Sequence, residues 1–231
     1  MKERILALGG ASTGGGLSGV LDTIKQSRTG AFSNFECTGI LDSTKELHGT
    51  ECNGIPILGS TDIANIYTTW QTGKYDSVII SFMKNMDARK KLFEECSALE
   101  IPFANIIHPS VIISSGARIG RGNVIMAFSY LGPNAVVGDN NFMSTYTGIE
   151  HDCRVGSHNT FGPNVKFSGC VTVGDKVLFA MNIGVQPRIT IGSNSIISSG
   201  CIITDNIPPN TVAKVNIKYI IRELAKEKYN G

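Results

Sequence analysis

Residues 106–155 read IIHPSVIISSGARIGRGNVIMAFSYLGPNAVVGDNNFMSTYTGIEHDCRV, and every sixth position from Ile107 onward is apolar. A period of six fits neither an α-helix, with 3.6 residues per turn, nor a simple strand, which alternates every two. A parallel β-helix explains it, because each hexad supplies one short strand and one corner, and three hexads close a triangular coil. The apolar residue of each hexad then points into the coil.

The apolar series runs beyond this stretch without an insertion, which predicts a solenoid of about five to six coils. Its seventeen positions are Ile107, Ile113, Ile119, Ile125, Leu131, Val137, Met143, Ile149, Val155, Phe161, Phe167, Val173, Phe179, Val185, Ile191, Ile197 and Ile203. A glycine often follows the apolar residue, and we interpret these glycines as corners with an unusual φ. They are Gly120, Gly132, Gly138, Gly156, Gly162, Gly174 and Gly192.

The first 105 residues follow a different pattern, in which strands alternate with helices. A short apolar strand at 4–8 leads into a glycine loop at 9–16, and residues 17–26 have helical spacing. Further strands end near residue 42 and span 76–82, and a helix follows from Met86. This order predicts an α/β domain at 1–105 with a small Rossmann-like parallel sheet. The β-helix then occupies 106–212, and 213–231 forms a capping segment with a short helix at 217–228.

Composition limits the classes of function. The 231 residues are 42% hydrophobic and 17% charged, so the chain can bury a core. A net charge of +2 does not favour nucleic acid as a partner. The apolar runs are too short for a membrane span or a signal peptide, so we expect a soluble, cytoplasmic protein without membrane insertion. The six cysteines form no C-x-x-C pair and are interpreted as structural, and no metal site is expected.

The glycine loop is the first candidate binding site. It follows a strand and opens a helix, where backbone N–H groups and the helix dipole favour phosphate. Asp42, at the end of the next strand, is placed to accept hydrogen bonds from a ribose or base. The loop departs from G-x-G-x-x-G, which favours a nucleotide or nucleotide sugar over NAD. A glycine turn without a ligand stays open as an alternative.

His151 is the candidate catalytic residue. It falls at a corner of its hexad, points outward, and lies between the carboxylates Glu150 and Asp152. A carboxylate bonded to one ring nitrogen fixes the tautomer and raises the basicity of the other, as a general base requires. A surface histidine among charges is the alternative. Of the other histidines, we expect His158 to lie outside the coil without a function, His108 to bond backbone at the domain junction, and His48 to lie in a loop.

The segments IIHPSVIISSGARIG (106–120), IEHDCRVG (149–156) and GDKVLFAMNIGV (174–185) resemble the bacterial sialic acid and nucleotide-aminosugar acetyltransferases of the hexapeptide-repeat class. The resemblance covers nearly the whole chain. It implies a left-handed β-helix, a homotrimer, acetyl-CoA as co-substrate in a groove between coils, and an α/β domain that holds the nucleotide of the sugar. The resemblance implies a reaction that needs no metal.

The resemblance also implies roles for individual residues. His151 matches the general base and Asp152 its acidic partner. The implied substrate-binding residues are Ser12, Thr13, Gly14, Gly15, Asp42, Ser43, Ser81 and Ser144, and the implied coenzyme-binding residues are Thr160, Gly169, Met181, Ser199 and Gly200. The sequence departs from the family pattern in several places. Thr160 replaces a histidine, Ser144 replaces an asparagine, residues 81–84 lack a glycine, and the G-x-P-A motif is absent at 214–217.

The expected function is therefore transfer of an acetyl group from acetyl-CoA to the amine of a nucleotide-linked amino sugar. A 4-amino-4,6-dideoxyhexose for a surface glycan such as O-antigen is the favoured substrate, and the nucleotide stays open among UDP, dTDP and GDP. O-acetylation of sialic acid or another sugar is the main alternative. An NAD-binding oxidoreductase and a purely structural solenoid are remote ones. A carbonic-anhydrase-like role needs three histidine ligands, which the spacing does not supply.

Overall fold

A computed structural model describes residues 2–12, 15–27 and 35–215. The N-terminal unit contains the predicted alternation of strands and helices. Its elements are β1 (Glu3–Leu8), α1 (Gly15–Ser27), β2 (Phe35–Leu41), a 3-10 turn (Lys45–Leu47), β3 (Glu51–Cys52), β4 (Ile55–Gly59), α2 (Ile63–Gln71), β5 (Ser77–Ile80) and α3 (Met86–Ala98). The sheet order is β3-β4-β2-β1-β5. The predicted parallel sheet is present, but β3 pairs antiparallel with β4 at its edge, so the sheet is mixed.

Helices cover both faces of this sheet, which explains why its central strands are apolar throughout. The central strand β1 packs its side chains to both sides, with Ile5 and Ala7 facing the apolar side of α1. Leu6 and Leu8 pack instead with residues of α2 and α3. Both groups of residues are buried.

The second unit is a β-helix of the left-handed hexapeptide class, as predicted. Face 1 consists of β6 (Ile106–Ile107), β9 (Val124–Ile125), β12 (Phe142–Met143), β15 (Thr160–Phe161), β18 (Leu178–Phe179), β21 (Ile196–Ile197) and β23 (Val212–Ala213). Face 2 consists of β7 (Ile112–Ile113), β10 (Tyr130–Leu131), β13 (Gly148–Ile149), β16 (Val165–Phe167), β19 (Ile183–Val185) and β22 (Ile202–Ile203). Face 3 consists of β8 (Arg118–Ile119), β11 (Val136–Val137), β14 (Arg154–Val155), β17 (Thr172–Val173) and β20 (Thr190–Ile191).

The apolar series fills the interior of the coils. Each strand pairs in parallel with the strand 18 residues later, as Tyr130 does with Gly148. Every member of the series from Ile125 to Ile203 is buried, and the three members in the first coil are partly buried. The last coil is two residues shorter, because Ile196 pairs with Val212.

The corner glycines have a different physical reason from the predicted one. None of the seven has a positive φ. A Cβ at Gly138 would lie 2.9 Å from the carbonyl carbon of Gly156, and one at Gly156 would lie 2.8 Å from that of Gly174. Glycine is needed there because successive coils approach closely. Asparagines supply many of the left-handed corners, among them Asn134, Asn140, Asn164, Asn182 and Asn194.

The α/β unit packs against face 1 of the β-helix. The outward side chains of Ile106, Val124 and Phe142 join the apolar cluster that contains α1. The helix α3 also contacts the coils, through a buried Arg89. No helix in the described ranges is long and apolar enough to cross a membrane. The C-terminal helix expected at 217–228 lies outside the described residues, and the domain boundaries stay predictions.

Candidate active site

His151 and Asp152 lie at the corner between faces 2 and 3, where β13 passes into β14. Nδ1 of His151 is 2.8 Å from Oδ2 of Asp152, and Oδ1 of Asp152 accepts a hydrogen bond from Asn134 Nδ2 at 3.2 Å. Both members of the pair are exposed. The bond to His151, followed by the bond from Asn134, lowers the pKa of the Asp152 carboxyl. An ionised carboxylate at Nδ1 requires a proton there, which leaves Nε2 with its lone pair as a base.

Gly169 allows the imidazole to lie where it does. Gly169 follows His151 by one coil, and a Cβ at this position would lie 2.5 Å from Cε1 of His151 and closer still to Nε2. The Gly169 N–H donates to no acceptor in the described part of the chain. Gly169, which was expected to bind the coenzyme, therefore lies next to the imidazole of His151.

Cys170 also lies beside the pair. Its sulfur and the ligand atoms of His151 and Asp152 lie within 4.8 Å of one another. All six cysteines are free thiols. The sequence reasoning treated Cys170 as structural and did not predict that it lies beside the pair. Its spacing of 18 residues from Asp152, which is one coil, is the signal that would have indicated this.

An apolar cavity of about 410 Å³ lies at another corner, between faces 1 and 2. Its walls come from the segment after β5 and from the later coils. The lining residues are Met83, Lys84, Asn85, Met86, Thr160, Gly162, Pro163, Leu178, Phe179, Ala180, Met181 and Ser199. Three of the predicted coenzyme residues, Thr160, Met181 and Ser199, meet here. Gly200 is adjacent, since its N–H donates to the Met181 carbonyl at 3.0 Å.

A second cavity of about 400 Å³, called the polar cavity because its lining is more polar than that of the first, lies at the carboxyl ends of β1, β2 and β5. Of the predicted substrate residues, Ser12, Asp42 and Ser43 line it. The other lining residues are Gly9, Gly10, Thr61, Phe82, Lys84, Asn85, Ala88, Lys91, Leu92 and Glu95. Its charged lining balances, because Lys84 and Lys91 face Asp42 and Glu95, and Lys91 pairs with Glu95 at 3.7 Å. The sequence reasoning had not placed either lysine at the site. Thr13 and Gly14 lie outside the described residues, and Gly15 begins α1.

The side chains of Asp42 and Ser81 hold the glycine loop in place, and their expected roles as ligands stay predictions. Asp42 is 1% exposed, and its two carboxylate oxygens accept the N–H groups of Ala11 at 2.8 Å and Thr44 at 2.9 Å. Ser81 is fully buried, and its hydroxyl donates to the carbonyls of Leu8 and Gly9. Each carboxylate oxygen of Asp42 can accept one further hydrogen bond, and Asp42 lines the cavity.

The substrate role expected for Ser144 also stays a prediction. It is buried at the corner between faces 1 and 2, where its N–H donates to the Phe161 carbonyl at 3.0 Å. It lies one coil before Gly162 and is not among the described residues that line either cavity. In the structure it is a packing residue beneath the apolar cavity.

The remaining histidines have structural contacts. His108 bridges the units, because its ring bonds Ser110 at 2.8 Å and Gln26 of α1 at 2.7 Å. The bond that it accepts from the Ser110 N–H confirms a backbone contact at the junction. His158 is buried beneath α3, and His48 Nε2 lies 2.8 Å from the Asp42 carbonyl.

The fold is a left-handed β-helix with an α/β unit before the coils. The chain is similar to PerB from Caulobacter crescentus, solved with CoA and GDP-perosamine, at 23% identity over 90% of this chain and 92% of that one, with a TM-score of 0.79. It is also similar to the acetyltransferase domain of PglB from Neisseria gonorrhoeae, solved with acetyl coenzyme A, at 22% identity over 93% and 97% of the two chains, with a TM-score of 0.78.

A third solved structure, WeeI from Acinetobacter baumannii, has 22% identity over 91% of this chain and 97% of that one, with a TM-score of 0.74. No protein-family model and no curated protein matches the sequence. The structural similarities span both units, so they confirm the fold that the resemblance implied.

Proposed function

We propose that this protein transfers the acetyl group of acetyl-CoA to the amine of a nucleotide-linked amino sugar. The observation that carries the proposal is the His151–Asp152 pair on a β-helix that has an apolar cavity at another corner of the same coils. It is supported by similar structures, one of which contains CoA with GDP-perosamine and another acetyl coenzyme A. The apolar cavity then receives the coenzyme, and the polar cavity receives the nucleotide.

The reaction follows from the geometry of the pair. The sugar amine attacks the thioester carbonyl, and Nε2 of His151 takes the amine proton. Asp152, which stays ionised, stabilises the resulting imidazolium. The free Gly169 N–H is a donor for the oxyanion. The C–S bond then breaks, and the coenzyme leaves as a thiol with the proton that His151 returns.

We also propose a homotrimer, because the base and the apolar cavity lie at different corners of one chain. Both corners border face 2, whose outward Ile112 and Ile202 are 63% and 66% exposed. A closed three-fold ring around face 2 brings the cavity of one copy next to His151 of its neighbour. The domain boundaries at 105 and 212, a cytoplasmic location near the acetyl-CoA pool, and a role in surface glycan synthesis belong to the same proposal.

A panel assay tests the activity. Release of CoA from acetyl-CoA is measured with UDP-, dTDP- and GDP-linked 4-amino sugars and with free sialic acid. Mass spectrometry determines the mass of each product. We expect one nucleotide sugar to gain one acetyl group in wild-type protein and not in the His151→Ala variant. Turnover only on sialic acid would change the reaction to O-acetylation. No turnover on any acceptor would contradict the proposal.

A further inference from the structure

Arg89 is a buried cation at the junction between the two units. It lies on α3, is 1% exposed, and forms no ion pair with any carboxylate of residues 2–12, 15–27 and 35–215. Burial lowers the pKa of its guanidinium to about 10, so it remains charged near neutrality. A buried charge without a counter-ion is costly, and its retention indicates a specific use.

The hydrogen bonds of Arg89 lead to the apolar cavity. One amino group donates to Oγ1 of Thr160 at 2.7 Å, and the other donates to the Asn140 carbonyl at 2.6 Å. Nε has no partner. The guanidinium is further fixed over the Phe142 ring, 5.9 Å from its centroid. Arg89 thus holds the hydroxyl of Thr160, a residue that is 3% exposed and lines the cavity.

The direction of these bonds determines what the Thr160 hydroxyl can do. A guanidinium only donates, so Oγ1 is the acceptor and its own proton must be donated elsewhere. The acceptor present is the carbonyl of Met83, 3.4 Å away. That separation is long for an O–H···O bond, whose usual distance is about 2.7 Å. A ligand oxygen in the cavity would therefore compete well for a proton that the adjacent cation makes a better donor.

We infer that Arg89 is a positioning residue for the acyl-coenzyme, holding the Thr160 hydroxyl so that its proton binds a carbonyl oxygen of the acyl–pantetheine arm. The inference rests on the proposed function for the identity of the ligand. It assigns a use to a buried arginine that touches neither the coenzyme nor the sugar. It also explains how a threonine serves at a position where the resembling family has a histidine.

The test compares variants that change the hydroxyl, the cation and the junction separately. Thr160→Val removes the hydroxyl with little change of shape, Thr160→Ser retains it, and Arg89→Lys retains the charge without the paired donors. Lys176→Met is the matched control, because Lys176 joins the coils to Asp87 of α3 without contacting Thr160. Calorimetry with CoA and with acetyl-CoA gives Kd, steady-state kinetics give KM and kcat separately, and thermal unfolding identifies misfolded variants.

We expect Thr160→Val to weaken acetyl-CoA binding by about threefold to tenfold, the usual effect of one lost hydrogen bond. Arg89→Lys should also raise KM for acetyl-CoA, with a smaller change in kcat. Thr160→Ser should recover part of the binding that Thr160→Val loses, and Lys176→Met should bind like wild type. If Thr160→Val weakens the binding of acetyl-CoA but not of CoA, the thioester carbonyl is the group that accepts the Thr160 proton. Equal weakening with CoA would place it at a pantetheine amide, and either pattern supports the inference.

Two results would overturn it. Unchanged Kd values in folded Thr160→Val would show that the hydroxyl does not bind the coenzyme. Equal weakening in Lys176→Met would show that any loosening of the junction has the same effect. Failure of wild-type protein to bind either coenzyme is a different outcome, since it removes the proposed function and the inference together.

Discussion

His151 owes its orientation to neighbours on both sides of the corner. Asp152 holds Nδ1 at 2.8 Å, and Gly169 leaves room for the ring one coil further along. Asp152 adopts a left-handed backbone with φ of 57°, which aspartate tolerates better than most residues. The base is thus positioned by local geometry and not by burial.

We predict that His151→Ala lowers kcat by about 10²–10⁴-fold, the usual contribution of a general base. The side chain is exposed, so the melting temperature should stay close to that of wild type. Steady-state kinetics and thermal unfolding on the same preparation measure both effects. Near-wild-type kcat would remove His151 from the mechanism.

Gly169→Ala tests the position of the ring without removing it. The new Cβ would overlap Nε2 and force the imidazole to rotate away from Asp152. We expect kcat to fall at least about tenfold, because small misplacements of catalytic groups have large effects on rate. Gly148→Ala is the matched control, since its Cβ would meet only the flexible end of Lys166 at 3.0 Å. A similar loss in both variants would point to a general effect on the coils.

Residue types in the sequence indicated the hydrogen bond of the His151–Asp152 pair but not the contacts that Asp42 and Ser81 make. The His-acid pair needs only a corner position, which the hexad count supplies. Asp42 and Ser81 were expected to face a ligand, but their polar atoms bind the backbone of the glycine loop and of residue 44. Arg89 was overlooked because arginine on a helix is usually exposed, and only the packing of α3 on the coils buries it.

Among the elements, a buried asparagine ladder ties successive coils together. The side-chain oxygens of Asn105, Asn123, Asn141 and Asn159 accept the backbone N–H of the residue 18 positions later, at distances of 2.7–2.9 Å. The last three of these asparagines are fully buried. The ladder satisfies backbone groups at a corner where the strands are interrupted.

We predict that Asn141→Ala destabilises the protein by about 1–3 kcal/mol, because it leaves the buried N–H of Asn159 without an acceptor. Chemical denaturation measures the change in unfolding free energy. Thr172→Ala, on the exposed surface of β17, is the control and should change it little. Equal stabilities of the two variants would show that the ladder does not hold the coils together.

The period of the apolar series predicted the strands of the β-helix, because each hexad fixes both an inward residue and a corner. The ladder could have been found from the same sequence, since its asparagines recur every 18 residues. The hairpin of β3 and β4 and the helix α2 carry no such repeat, and the sequence reasoning did not identify them. The glycines were recognised, but their role depends on contact between coils, which no single hexad reveals.

At the scale of the whole molecule, the protonation state of His158 affects the stability of the junction between the two units. It is 9% exposed beneath α3, with Nδ1 2.9 Å from Asn140 and its ring edge-on to Phe93. Burial lowers the pKa of His158 below its usual 6.5. The folded protein therefore favours the neutral ring, and this contribution to stability is complete above pH 6.5 and declines as the pH falls toward the lower pKa of the folded state.

We predict that the melting temperature of wild type falls more than that of His158→Asn between about pH 7.5 and about pH 5. Asparagine suits the left-handed backbone at this position, where φ is 63°, and it does not titrate. Thermal unfolding across that range provides the comparison. Parallel curves for the two proteins would show that His158 does not control the acid response.

The proposed trimer predicts that two inactive variants restore activity when they assemble together. His151 and the apolar cavity lie at opposite edges of face 2. In the proposed trimer, a complete site would combine the base of one copy with the cavity of the next. His151→Ala and Met181→Trp should each be inactive, the second because an indole fills the cavity that Met181 lines.

Refolding the two variants together at equal amounts should restore about a quarter of wild-type activity. A site is active only when the copy that supplies the base is Met181→Trp and the copy that supplies the cavity is His151→Ala, and each condition holds in about half of the cases. Light scattering checks that both variants and the mixture have the mass of three chains. Trimers that remain inactive after mixing would show that each chain completes its own site, and a monomeric mass would contradict the ring itself.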